Sequence, residues 1–182
     1  MESIVLIHGY TAHPEDNWFP WLKTELNKIN LEISLLQMPN SHAPVPEEWH
    51  QFCEKNIPHA DDLTLIGHSL GCIEALRFLE RNEVKNVNLI LVSGFDVTVD
   101  TLPQLSAFTN IPIDYKKILN KIKSAVVISA FDDDIVPFKY SQKLACHLKC
   151  KLVMMPEGKH FIDRDGISEL PIVFNELMTI LK

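Results

Sequence analysis

Long apolar runs are missing from this chain. None approaches the roughly 18 residues that a membrane-spanning helix needs, so no membrane partner is expected. Cysteine is sparse: Cys53, Cys72, Cys146 and Cys150 are all there is. They are too few and too scattered for a disulfide scaffold, and reduced thiols in a cytoplasmic protein are the expectation. The start, Met1-Glu2-Ser3-Ile4, lacks the basic region, apolar segment and small-residue cleavage site of an export signal. Positive charge is short as well: a net charge of −7 disfavours nucleic acid and anionic membranes as partners. There is no His-Glu-x-x-His. Cys146 and Cys150 flank His147 but have no second ligand cluster at zinc-site spacing, so neither metal nor cofactor is expected. Repeats, low-complexity tracts and linkers are also absent. Residues 1–182 therefore read as one domain, and at 46% hydrophobic content the chain can bury a real core.

What is present is a repeated alternation. Short β-branched runs at 3–7, 31–36, 63–68, 87–92, 125–130 and 150–155 are interleaved with helical patterns. The helices are expected over Asn17 to about Asn30, Glu47 to about Asn56, Leu70 to about Arg81, Asp114–Lys123, Tyr140 to about Leu148, and Ile167–Leu181. Six nearly all-apolar strands alternating with helices predict an α/β fold, an open parallel sheet with helices on both faces. The stretch 96–123 is the only one long enough to act as a cap over a pocket, and it is short.

One junction carries a chemical signature. The third run ends in Gly67-His68-Ser69-Leu70-Gly71, and a helix follows. Gly-x-Ser-x-Gly between a strand and a helix describes a tight turn that lifts a serine hydroxyl above the sheet edge. The Leu70 N–H, at the helix start, can then face a developing oxyanion. A serine hydroxyl is a weak nucleophile at neutral pH and needs a histidine base held by an acid. In this fold class the order along the chain is Ser, acid, His. Ser69 follows the third strand, Asp132-Asp133-Asp134 the fifth, and His160 the sixth, all at one edge of a parallel sheet. Of the three acids, the spacing Asp-x-Ile-Val-Pro to Pro137 points to Asp133, with Asp132 as the competitor. His8-Gly9-Tyr10-Thr11 ends the first strand at the same edge, and the N–H of Tyr10 or Thr11 can serve as second oxyanion donor, Tyr10 being favoured. His8, Gly9, Trp18 and His68 are expected to contact substrate. Cys72, one helical turn beyond Ser69, reads as packed, a cysteine nucleophile being the lesser alternative. His42, His50 and His59 read as surface or structural.

His8-Gly9-Tyr10, Asn17-Trp18-Phe19-Pro20-Trp21-Leu22, Gly67–Gly71, Asp133-Asp134-Ile135-Val136-Pro137 and Gly158-Lys159-His160-Phe161 together resemble the small α/β-hydrolases of the YdeN type. The chain is similar, more distantly, to the retinoblastoma-binding protein nine group. This resemblance implies a minimal hydrolase fold with strand order 2-1-3-4-5-6, no large lid, and the triad Ser69, Asp133 and His160. It implies a serine hydrolase acting on small carboxylic esters or thioesters. The alternative is a non-catalytic interaction module on the same fold, with a protein partner.

Overall fold

The computed structural model describes residues 3–182; Met1 and Glu2, where the stretch read for an export signal begins, lie outside the described residues. Six strands, β1 (Ile4–Ile7), β2 (Ile33–Leu36), β3 (Thr64–His68), β4 (Val87–Val92), β5 (Ile122–Ala130) and β6 (Lys151–Met155), form one parallel sheet in the order β2-β1-β3-β4-β5-β6. The helices are α1 (Phe19–Asn27), α2 (Pro46–Asn56), α3 (Leu70–Arg81), α4 (Tyr115–Ile118), α5 (Phe138–Leu148) and α6 (Pro171–Ile180).

Strand side chains alternate between two cores, because successive residues of a strand face opposite ways. Val5, Ile7, Leu65, Leu89, Leu91 and Val127 pack under α2, α3 and α5. Ile4, Leu6, Ile66, Ile90, Val126 and Ile128 pack under α1 and α6. Both faces are covered, which is why the strands read as unbroken apolar runs rather than as alternation. No helix among the described residues is long and apolar enough to cross a membrane.

Element edges depart from the sequence expectation where proline or an unforeseen pairing decides. α6 starts at Pro171, not at Ile167, since proline at the first helical turn costs no hydrogen bond whereas in the interior it would. Pro20 likewise sets the start of α1, after Asn17 in the left-handed region at φ 57°. The expected helix over 114–123 shrinks to α4 plus a 3-10 turn at Leu119–Lys121. Ile122 instead opens β5 by pairing with Val87, across a register shift at Val87/Asn88. The buried Lys121 ammonium donates to the Leu79 and Asn82 carbonyls at the end of α3, 3.0 and 2.8 Å away, which fixes the chain there.

Residues 96–123 are stitched to the rest from both ends. Asp96 Oδ2 accepts from Tyr115 Oη at 2.6 Å and pairs with His147 of α5. Tyr140 Oη donates to Asp100 Oδ2 at 2.7 Å, and Thr101 Oγ1 donates to the Ile135 carbonyl. His50 is structural: its Nδ1 meets buried Glu74 at 2.8 Å between α2 and α3.

Candidate active site

β3 lies between β1 and β4, and Gly67 is in register with Ile7 on one side and Leu91 on the other. The chain therefore leaves the middle of the sheet at Ser69 and turns straight into α3. Ser69 takes φ 55°, ψ −119°, a conformation of high cost for a residue with a Cβ, on the order of 1–3 kcal/mol. Its neighbours hold it there. Ser69 N–H donates to the Val92 carbonyl at 2.9 Å, and the Ser69 carbonyl accepts from Cys72 N–H at 3.0 Å. The flanking glycines are required by space. A Cβ at Gly67 would come within 2.7 Å of Cys72 Cα, and one at Gly71 within 2.0 Å of the Ile7 carbonyl oxygen. Both neighbours are backbone and cannot swing aside. Gly71→Ala should therefore lower unfolding free energy by about 3 kcal/mol or more, read as a fall in the urea midpoint.

The two side chains expected to serve Ser69, Asp133 and His160, come from the ends of β5 and β6. His160 Nδ1 lies 3.0 Å from Asp133 Oδ2 and 3.2 Å from Oδ1. Asp133 Oδ1 also accepts from the backbone N–H groups of Ile135 and Val136, at 3.0 and 2.8 Å. A buried carboxylate needs such donors in place of water. Asp132 does something else. Its Oδ1 accepts from Lys159 N–H at 2.8 Å and ties the acid loop to the base loop. Asp134 is exposed and lines the cavity rim.

Ser69 and His160 open onto one cavity of about 470 Å³, a size suited to a small ligand. Among the described residues the hydrogen bond closed within this set is that of His160 to Asp133; the serine–imidazole bond is not made, a common state before substrate tightens such a site. Of the first loop's amides, Thr11 N–H is taken by the Ser41 carbonyl at 2.8 Å and Ala12 N–H by that of Gly9 at 3.3 Å. Tyr10 N–H has no hydrogen-bond partner among the described residues. Leu70 N–H sits at the first position of α3, where no intrahelical acceptor exists. Cys72 is fully buried, its thiol donates to the Val92 carbonyl at 3.5 Å, and burial pushes its pKa up; it is packing, not a nucleophile.

All four residues expected to contact substrate can be placed: Gly9 and His68 line the cavity, whereas His8 and Trp18 do not. Both are corrections to the sequence reading. Trp18 is buried in the core under α1 and α6, edge-on to Phe19 with ring centroids 4.8 Å apart, and backs His68 at 6.0 Å. His8 turns away from the cavity, toward Met38 and Trp49. Sequence reasoning missed wall residues from four loops, namely Asn17, Leu102, Ile135, Ile162, Asp163 and Arg164. Asn17 and Asp163 are clasped across the mouth, each donating its backbone N–H to the other's side-chain oxygen at 2.6 and 2.9 Å. A pairing across 146 residues leaves no local signal, although Asn17 and Ile135 stand inside motifs already singled out.

A family model described as "Serine hydrolase" matches residues 4–179. The chain belongs to the serine hydrolase family. It is 37% identical over 180 residues to YdeN of Bacillus subtilis, covering 97% of this chain and 94% of that protein. It is 28% identical over 168 residues to Serine hydrolase RBBP9 of Rattus norvegicus, covering 91% and 84%. The crystal structure of the B. subtilis ydeN product superposes with a TM-score of 0.95 at 35% identity, over 100% of this chain and 99% of that one. Est1E of Butyrivibrio proteoclasticus, solved with ferulic acid bound, has a TM-score of 0.72 at 18% identity, over 100% and 88%; that likeness shows the fold alone.

His68, beside Ser69, ties the turn after β3 to the loop after β6. Its Nε2 meets the His160 carbonyl at 2.9 Å, so that nitrogen carries the proton. Burial, and then the nearby His160, lower its pKa from 6.5 to about 3. The sign for stability follows. Above pH 6.5 neither state binds this proton and the contribution is complete. As pH falls, the unfolded chain binds it first, and stability drops by up to about 1.4 kcal/mol per pH unit from this one group until the folded pKa is reached. Urea midpoints should decline between about pH 6.5 and 5, less steeply in His68→Leu.

Proposed function

We propose that this chain is a hydrolase of small carboxylic esters or thioesters, working through an acyl-enzyme on Ser69. Ser69 Oγ attacks the carbonyl carbon while His160 Nε2 takes its proton. The carbonyl π pair moves onto oxygen, and the oxyanion is met by the N–H groups of Tyr10 and Leu70. Asp133 keeps the proton of His160 on Nδ1 and faces the imidazolium that forms. Collapse expels the alcohol or thiol, which takes the proton from His160. Water then repeats the sequence and frees the acid, and Ser69 recovers its proton. Residues 96–123, which bring Leu102 to the cavity wall, act as a short cap. An opening this slight suits small or exposed acyl groups better than long lipids.

The observation that carries this reading is the strained Ser69 sharing one cavity with an imidazole whose Nδ1 is held by a buried carboxylate. The experiment is hydrolysis of a p-nitrophenyl ester series of increasing acyl length, with mass spectrometry of the quenched protein. Turnover of the short esters, with transient acylation at Ser69, is expected. A folded protein that turns over no member of the series would contradict it.

A further inference from the structure

A second cavity takes no part in the reaction described above. Its volume is about 540 Å³, in the range of small-ligand sites, and it shares no lining residue with the cavity at Ser69. Its walls come from the start of α2, the last turns of α3 and residues 107–111.

Some of its polar groups are committed and some are not. Glu80 is committed: Oε2 accepts from Arg77 Nη1 at 2.7 Å, and Oε1 accepts from Asp114 N–H at 2.6 Å. Arg77 is buried and also donates from Nη2 to the Ile111 carbonyl. These bonds fasten residues 111–114 to α3. His50 is only half committed. It is buried, its Nδ1 meets Glu74 Oε2 at 2.8 Å, and its ring lines the cavity. His50 Nε2 has no hydrogen-bond partner among the described residues. Arg81 is held least. It pairs with Glu47 Oε2 at 4.0 Å, between exposed side chains, where an ion pair is worth little. Glu47 itself accepts from Gln51 Nε2 at 2.9 Å.

The rest of the wall is apolar. Val45 and Ile111 are exposed, at 44% and 73%, and buried Phe108 stands edge-on to His50 with ring centroids 6.5 Å apart. Exposed apolar side chains beside an underused guanidinium suit a ligand with an alkyl part and an anionic head. Glu47 and Glu80 on the same wall disfavour a doubly charged head such as a phosphate, so the head that fits is a single carboxylate.

We propose that this second cavity binds a short amphiphilic carboxylate, its head held by Arg81 and His50 Nε2–H and its alkyl part lying on Val45, Phe108 and Ile111. An imidazolium at His50 then stands between two carboxylates, Glu74 on Nδ1 and the ligand on Nε2. The bound ligand joins residues 107–111 to α2 and α3. The site does not depend on the chemistry proposed at Ser69.

The test is a titration of nitrogen-15-labelled protein with sodium hexanoate at constant ionic strength, and a parallel titration with the uncharged 1-hexanol. Saturable amide shifts at His50, Arg77, Arg81, Phe108 and Ile111 are expected, with a Kd on the order of 1 mM for so small a ligand. Hexanol should bind about fivefold or more weakly, and Arg81→Gln should weaken hexanoate by a similar factor while leaving hexanol unchanged. Ala107→Asp, at an exposed wall position, places a like charge beside the head and should also weaken hexanoate alone. Shifts confined to Gly9, Ser69 and His160, or none at all up to about 20 mM hexanoate, would overturn the proposal. Hexanol binding as tightly as hexanoate, or Arg81→Gln and Ala107→Asp both binding hexanoate as wild type does, would reject a carboxylate site.

Discussion

Ser69→Ala is expected to lower kcat for an activated ester by on the order of 10⁶-fold, the scale on which removing a triad nucleophile acts. The fold should survive the change. The hydrogen bonds that shape the turn run from Ser69 N–H to the Val92 carbonyl and from Cys72 N–H to the Ser69 carbonyl, and both are backbone bonds that alanine keeps. The substitution removes the proposed attacking oxygen and leaves the cavity, His160 and the N–H groups of Tyr10 and Leu70. A residual rate above that in water is therefore expected, since oxyanion donors and binding still act. The check is burst and steady-state kinetics on p-nitrophenyl acetate beside a thermal melt. Loss of both turnover and melting transition would point to misfolding rather than to a missing nucleophile.

Asp133→Asn is expected to cost about 10⁴-fold in kcat, the effect of the same exchange in a serine-protease triad. The direction follows from which groups can donate and which can accept. The Ile135 and Val136 N–H groups converge on Oδ1 and can only donate, so an asparagine carbonyl must occupy that position. The amide nitrogen then takes the place of Oδ2 and presents N–H to His160 Nδ1. His160 Nδ1 must become the acceptor, the ring proton moves to Nε2, and the base can no longer accept from Ser69. Asp132→Asn is the contrasting variant. Its amide oxygen can still receive Lys159 N–H, so kcat should stay within about threefold of wild type. Were Asp132→Asn the damaging change and Asp133→Asn the mild one, the acid would have been misassigned.

The parts legible in the sequence were those written in local pattern. The apolar runs foretold the sheet because both of its faces are buried. Gly67 and Gly71 foretold the turn at Ser69 because each would drive a Cβ into backbone. Pro137, four residues past Asp133, singled out the buried carboxylate that meets His160 and whose Oδ1 collects the N–H groups of Ile135 and Val136. What the sequence hid was the work of buried side chains on distant carbonyls. His68 tethers the His160 carbonyl across 92 residues, and Asp96 gathers Tyr115 and His147 from two other elements. Such bonds have no periodicity and no spacing. His8 shows the same limit at short range: its bond is to the next residue, but its direction depends on Met38 from β2's end, 30 residues on. Helix boundaries failed where Pro171 and the Ile122–Val87 pairing overrode a helical pattern.

The central claim is that Ser69 is a nucleophile activated by the folded site. It is tested most directly by incubating the protein with a fluorophosphonate, mapping the adduct by peptide mass spectrometry, and repeating with Ser69→Ala and heat-denatured protein. A single adduct on Ser69 that requires the fold and disappears in the variant is the predicted result. A well-folded protein left unlabelled, or labelled elsewhere at the same rate in Ser69→Ala, would contradict it and favour an interaction module on a hydrolase fold.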